Sequence, residues 1–178
     1  MIISLTGFMG CGKSSVGRKL SELLCCRFMD LDSEIEERNK CTVAEIFAER
    51  GEGEFRRIEK ETLKDILETS VTRPQMILAL GGGAVMTKEC EEMVHGHTAC
   101  IYLKASVEEL VSRLSSETAC RPLLAKSDLR MRILELMACR AETYERVADI
   151  IIDTDGKSVE EIAKTIIESV RTVSCPSS

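Results

Sequence analysis

The residues best suited to chemistry stand near the start of the chain, in Gly7-Phe8-Met9-Gly10-Cys11-Gly12-Lys13-Ser14. Their spacing fits G-x-x-x-x-G-K-[ST], in which a glycine-rich backbone turns successive N–H groups onto phosphate oxygens. Gly10, Cys11, Gly12 and Ser15 belong to that cradle. Lys13 is placed to reach the β- and γ-phosphates of ATP, and the Ser14 hydroxyl to ligate Mg²⁺. The competing dinucleotide pattern G-x-G-x-x-G fails, because Ser15 stands where the third glycine would follow Gly10 and Gly12.

Three further groups could complete a site. Asp30 and Asp32 end the short apolar stretch Arg27 to Asp32, Gly81, Gly82 and Gly83 follow the apolar run Gln75 to Leu80, and Asp153-Thr154-Asp155 follows Ala148 to Ile152. Leu80 runs into glycine, so that strand supplies no carboxylate for a metal. The acids after the second strand must then serve. Alternate residues at a strand end face opposite ways, which assigns Asp30 to Mg²⁺ through water and Asp32 to the acceptor hydroxyl. Asp32 is also suited to cap a helix from Ser33 to Asn39. Three successive glycines discard every side chain, so something must approach the backbone closely there. Cys11 either responds to the loop's amide dipoles and Lys13 or fills a small-residue position.

These groups need elements to hold them. Ile2 to Leu5 reads as a buried strand entering the loop, and Val16, Leu20, Leu23 and Leu24 recur at helical spacing after it. That helix sets its positive dipole end behind the phosphates. Thr42-Val43-Ala44-Glu45 and Ser106-Val107-Glu108-Glu109 are capping-box patterns. Gly51 to Glu54 interrupts one helix before Phe55, Ile58, Leu63, Ile66 and Leu67 mark a longer one. A helix over 88–94, a strand over 99–103, a helix over 129–146, a strand over 148–152 and a helix over 158–170 complete the order, with Asp155-Gly156 as a turn and 172–178 as a frayed tail. Segment 115–126 is polar and aperiodic. Alternating strands and helices predict an α/β fold: a parallel sheet of about five strands with helices on both faces. In such sheets ligands sit at the carboxyl ends of the strands, where all of these groups fall.

The 178 residues read as one domain, residues 1–178, whose 44% hydrophobic and 30% charged content is that of a globular chain. Twenty-four Lys and Arg against thirty Asp and Glu leave a net charge of −6, which offers nucleic acid no general attraction. Nine cysteines form no C-x-x-C pair and no zinc spacing with His95 and His97. They read as scattered small apolar residues in a reducing compartment, Cys25-Cys26 packing at a helix end. No signal segment or membrane span is expected, which places the protein in the cytoplasm.

Taken together, the phosphate loop, Phe28-Met29-Asp30-Leu31-Asp32, Gly53-Glu54-Phe55-Arg56-Arg57-Ile58-Glu59, Leu80-Gly81-Gly82-Gly83-Ala84-Val85, Arg121-Pro122-Leu123-Leu124, and Arg140 with Tyr144 resemble the shikimate kinase family over nearly the whole chain. The resemblance implies a three-layer P-loop kinase fold with a mobile lid, about 115–126, and a substrate-binding helical segment, about 32–70. It implies phosphorylation of the 3-hydroxyl of shikimate by ATP, on the way to chorismate and aromatic amino acids, in a monomer. Asp32, Arg56, Gly81, Gly82, Gly83 and Arg140 would hold shikimate, with paired arginine N–H donors on its carboxylate. Lys13, Asp32 and Arg121 would be catalytic, Arg121 closing with the lid onto the phosphates. Arg113 would stack on adenine, and Lys157 is a further candidate there. The alternatives are a P-loop kinase for another hydroxy acid such as gluconate, and a nucleotide-dependent binding module without turnover. By spacing alone, Arg56 reads first as a helix charge paired with Glu52 or Glu59, and the resemblance reverses that order.

Overall fold

The computed structural model describes residues 1–70, 75–117 and 126–173. The apolar runs form five strands: β1 (Ile2–Thr6), β2 (Arg27–Asp30), β3 (Met76–Ala79), β4 (Thr98–Lys104) and β5 (Ile150–Asp153). All pair in parallel, in the order β2-β3-β1-β4-β5. β1 is central and buried along its whole length, as an unbroken apolar run covered on both faces requires. The register brings the strand ends level, with Leu5 beside Ala79 and Ile101, and Asp30 beside Ala79. The groups that follow β1, β2 and β3 therefore meet at one edge of the sheet.

The helices are α1 (Lys13–Leu23), α2 (Leu31–Asn39), α3 (Val43–Ser70), α4 (Lys88–His97), α5 (Val107–Glu117), α6 (Lys126–Val147) and α7 (Val159–Val173), with a 3₁₀ turn at Ala84–Met86. α1 packs with α7 over one face of the sheet; α4 and α6 pack against β4 on the other. This is the expected three-layer α/β arrangement. α2 lies against α3 beside the β2 edge. Gly51, at φ 78° and ψ 171°, breaks α3 where the interruption was expected. Thr42 and Glu45 form the full capping box, the Thr42 N–H donating to Glu45 Oε2 at 2.7 Å and the Glu45 N–H to Thr42 Oγ1 at 3.2 Å. At Ser106 only half of the box forms. The Glu109 N–H reaches Ser106 Oγ at 3.2 Å, while the Ser106 N–H goes to Asp155 Oδ1 at 2.9 Å and ties α5 to the end of β5.

Some boundaries differ from the sequence reading. β2 stops at Asp30, so Asp32 lies in the first turn of α2, and the Asp30 side chain caps that helix by accepting from the Asp32 and Ser33 N–H groups at 3.1 and 3.3 Å. Asp30 has the extended backbone a cap needs; Asp32 is already helical. β5 begins two residues later than expected. Leu23 faces solvent and Leu24 packs against the core, because the stripe of α1 is narrower than its leucines suggest. Cys25 sits at φ 48° and is exposed, as is Cys139, so neither packs in the core. Among the described residues no helix is long and apolar enough to cross a membrane.

Candidate active site

The loop between β1 and α1 carries positive φ at Gly7, Gly10 and Gly12, which turns its amides inward at the start of α1. The Lys13 ammonium folds back over the loop and donates to the Gly7 and Phe8 carbonyls at 2.9 and 3.0 Å. Cys11 is buried, its sulfur 3.9 Å from Lys13 Nζ, and fills the space under the loop. Ser14 Oγ donates to Asp30 Oδ2 at 2.5 Å. Asp30 is therefore joined at once to the phosphate loop and to the first turn of α2.

On one side of the loop a cavity of about 400 Å³ is lined by Gly10, Cys11, Gly12, Ser15, Arg113 and Lys157 among others. Arg113 reaches it from α5, donating to the Cys11 carbonyl at 3.1 Å and the Thr154 carbonyl at 3.2 Å, with Glu109 at 2.8 Å beneath it. The guanidinium so bridges the phosphate loop and the end of β5. The Lys157 ammonium, also lining the cavity, donates to the Asp153 carbonyl at 2.7 Å, next to the Thr154 carbonyl that Arg113 holds.

On the other side a second cavity, of about 220 Å³, collects Asp32, Arg56, Glu59, Gly81, Gly82, Gly83 and Arg140. These residues come from α2, α3, α6 and the glycine run after β3. Met9 lines this cavity and Gly10 the other, so the two meet across one peptide of the loop. What approaches the glycines is the protein itself. A Cβ on Gly81 would lie 2.7 Å from Asp32 Oδ1 and 3.1 Å from Glu59 Oε1, and one on Gly83 would collide with the Arg56 guanidinium. At Gly82 the nearest atom would be the Met9 nitrogen at 3.5 Å, so the middle glycine alone leaves room.

Arg56 is both an ion-paired helix residue and a cavity residue. Its guanidinium holds Glu59 at 2.6 Å and Glu52 at 3.5 Å and lies 5.3 Å from the centre of the Phe55 ring. Glu59 is only 2% exposed, and burial raises its carboxyl pKa against the lowering effect of Arg56. Burial also raises Asp32, aided by the neighbouring charge of Asp30 and opposed by Lys13 and Arg56. Two carboxyl groups with raised pKa thus share the cavity with two arginines, one of them in contact with Glu59. Shifts of that kind cluster at sites built to bind or move charge.

Met9, Val43 and Phe47 also line this cavity, although nothing in their spacing announced it. Phe47 packs on Phe55 with ring centroids 4.4 Å apart, so the two rings form an apolar part of the cavity's lining. Arg121 lies outside the described residues, as does 118–125 of the expected lid. Residues 115–117 are the last turn of α5, and Lys126 opens α6.

Comparison with known proteins agrees with this geometry. The family model described as Shikimate kinase matches residues 9–171. A protein of Thermus thermophilus named Shikimate kinase is 39% identical over 168 residues, covering 94% of this chain and 89% of its own. One of Bordetella pertussis with the same name is 41% identical over 169 residues, covering 95% and 78%. The structure of shikimate kinase from Acinetobacter baumannii in complex with shikimate superposes with a TM-score of 0.87 at 31% identity, covering 98% of this chain and 95% of that one. With its phosphate loop, paired cavities and match along nearly its full length, the chain belongs to the shikimate kinase family.

Proposed function

We propose that this chain, as a single kinase domain acting as a monomer, transfers the γ-phosphoryl group of ATP to the 3-hydroxyl of shikimate. The observation that carries this reading is the seam at Met9 and Gly10, where a phosphate cradle and a cavity with two arginines and an aspartate share one peptide. ATP occupies the side lined by Gly10 to Ser15 and Arg113, with adenine against Arg113. Shikimate occupies the other side, its carboxylate between Arg56 and Arg140, its hydroxyls toward Asp32 and the Gly82 backbone.

The chemistry follows from positions and charges. Asp32 accepts a hydrogen bond from the attacking hydroxyl, and a carboxylate of raised pKa is the better proton acceptor. Lys13 moves from the loop carbonyls onto the transferring phosphoryl group, which Arg121 meets from the lid; both offset the charge that spreads over its oxygens. Ser14 Oγ and Asp30 Oδ2 are hard oxygen donors 2.5 Å apart at the phosphate end of the loop, a pair that suits Mg²⁺ with Ser14 bound directly and Asp30 through water. When bound, Mg²⁺ screens the β- and γ-phosphate oxygens. The test is ADP release from Mg-ATP with shikimate or gluconate as acceptor. A response to shikimate is expected, and turnover of gluconate alone would overturn the assignment.

A further inference from the structure

The run Gly81-Gly82-Gly83 has the greatest backbone freedom in the chain, yet it forms one wall of the acceptor cavity. A wall of that kind recognises nothing unless its peptide planes are held. The structure holds all three carbonyls. Gly81 accepts from the Ala84 N–H at 3.1 Å and Gly83 from the Met86 N–H at 3.1 Å, both inside the 3₁₀ turn that follows. The middle carbonyl, that of Gly82, accepts instead from the Tyr144 hydroxyl.

Tyr144 belongs to α6, far along the chain, and is fully buried. Its ring packs on Tyr102 of β4, centroids 5.2 Å apart, so the phenol has a fixed base from which to point. It stands four residues after Arg140, one helical turn along the same face. A single turn of α6 therefore presents a guanidinium to the cavity and a phenol to the cavity's glycine wall. Burial pushes the Tyr144 phenol up to about 12, against the lowering charge and hydrogen bond of Arg140, so the hydroxyl keeps its proton to donate to Gly82 throughout the neutral range while its oxygen accepts from Arg140.

We infer that Tyr144 is a positioning residue for the acceptor: its hydrogen bond to Gly82 fixes the glycine backbone and sets its distance from Arg140. It does not line the acceptor cavity itself. Removing the hydroxyl leaves a buried carbonyl without its donor and lets the plane between Gly82 and Gly83 turn. The cost falls on recognition of the acceptor, because the ATP side is built from the phosphate loop, α5 and the end of β5.

The inference rests on the shikimate reading, and Tyr144→Phe beside Tyr102→Phe tests it separately. With wild-type enzyme turning over shikimate, Tyr144→Phe should raise the shikimate KM about tenfold and weaken calorimetric shikimate binding by the same factor. The KM for ATP and kcat should stay within about threefold. Tyr102→Phe, which removes a hydroxyl from the same ring stack without touching Gly82, should leave shikimate KM unchanged. A wild-type shikimate KM in Tyr144→Phe overturns the inference, as does a parallel rise in both KM values, which would mean general loosening. Wild-type enzyme that ignores shikimate would instead overturn the functional reading.

Discussion

Ser14 and Asp30 are joined by a hydrogen bond of 2.5 Å that connects the first turn of α1 to the cap of α2. One carboxylate oxygen faces the phosphate loop; the other accepts two backbone N–H groups of α2. The proposed metal side of the site and the entry into the helices that line the proposed acceptor cavity are thus tied together by one side chain.

Two substitutions separate those duties. Asn caps a helix about as well as Asp, so Asp30→Asn should keep the melting temperature within about 2 °C. Losing the charge should raise the Mg²⁺ needed for half-maximal rate by about tenfold, the usual lower bound when an outer partner of a metal is removed. Asp30→Ala loses the cap as well, at about 1 kcal/mol, and should melt lower. An unchanged Mg²⁺ requirement in Asp30→Asn would reduce Asp30 to a cap.

Asp32 predicts a pH profile. Burial and Asp30 raise its pKa, so its charged form is lost on acidification earlier than for an ordinary aspartate near about 3.9. kcat/KM for shikimate should therefore fall as pH drops, along a limb lying above that value. Asp32→Asn should remove the limb and lower kcat by about 10²-fold or more, the typical worth of a positioned proton acceptor. A limb that survives the substitution belongs to another group.

Legibility followed chain distance. The phosphate loop, the helix behind it and the break at Gly51 are written in contiguous residues, and they stand where local rules put them. Asp30 and Asp32 exchanged the capping role because a boundary two residues away decides which of them is extended and which helical, and boundaries are set by tertiary packing. Arg56 shows a different limit. Its spacing allowed an ion pair or a place in a site, and only the approach of α3 to Gly83 sets the ion-paired guanidinium on the cavity wall. Met9 and Phe47 carry no periodic signal for a cavity, since their exposure depends on elements distant in sequence.

Glu59 predicts opposite effects on stability and binding. Its folded pKa is raised by burial, so the native state holds a proton that the unfolded chain, at about 4.3, has already released. Below about 4.3 both states are protonated and the group contributes nothing to the slope. As pH rises through the window up to the folded value, the charged form must be buried and stability falls. The melting temperature of Glu59→Gln minus that of wild type should therefore grow across that window. The same substitution loosens the 2.6 Å contact that orients Arg56, so the shikimate KM should rise several-fold. A melting difference that is flat with pH would show that Glu59 does not titrate there.

Arg121 and Arg140 are both arginines, but the proposed division of labour requires them to fail differently. Arg121 is assigned to the transferring phosphoryl group, where the charge it meets develops during reaction. Arg121→Ala should lower kcat by about 10²–10³-fold, the typical cost of one such donor, with little change in shikimate KM. Arg140 lines the acceptor cavity and is assigned to the substrate carboxylate, which carries the same charge before and during transfer. Arg140→Lys replaces a planar fork by a point charge and should raise shikimate KM about tenfold, near 1.4 kcal/mol, while kcat holds. Steady-state rates with each substrate varied in turn distinguish the two patterns. Near-normal kcat in Arg121→Ala removes that residue from the chemistry, and an unchanged shikimate KM in Arg140→Lys makes Arg140 a structural residue of α6.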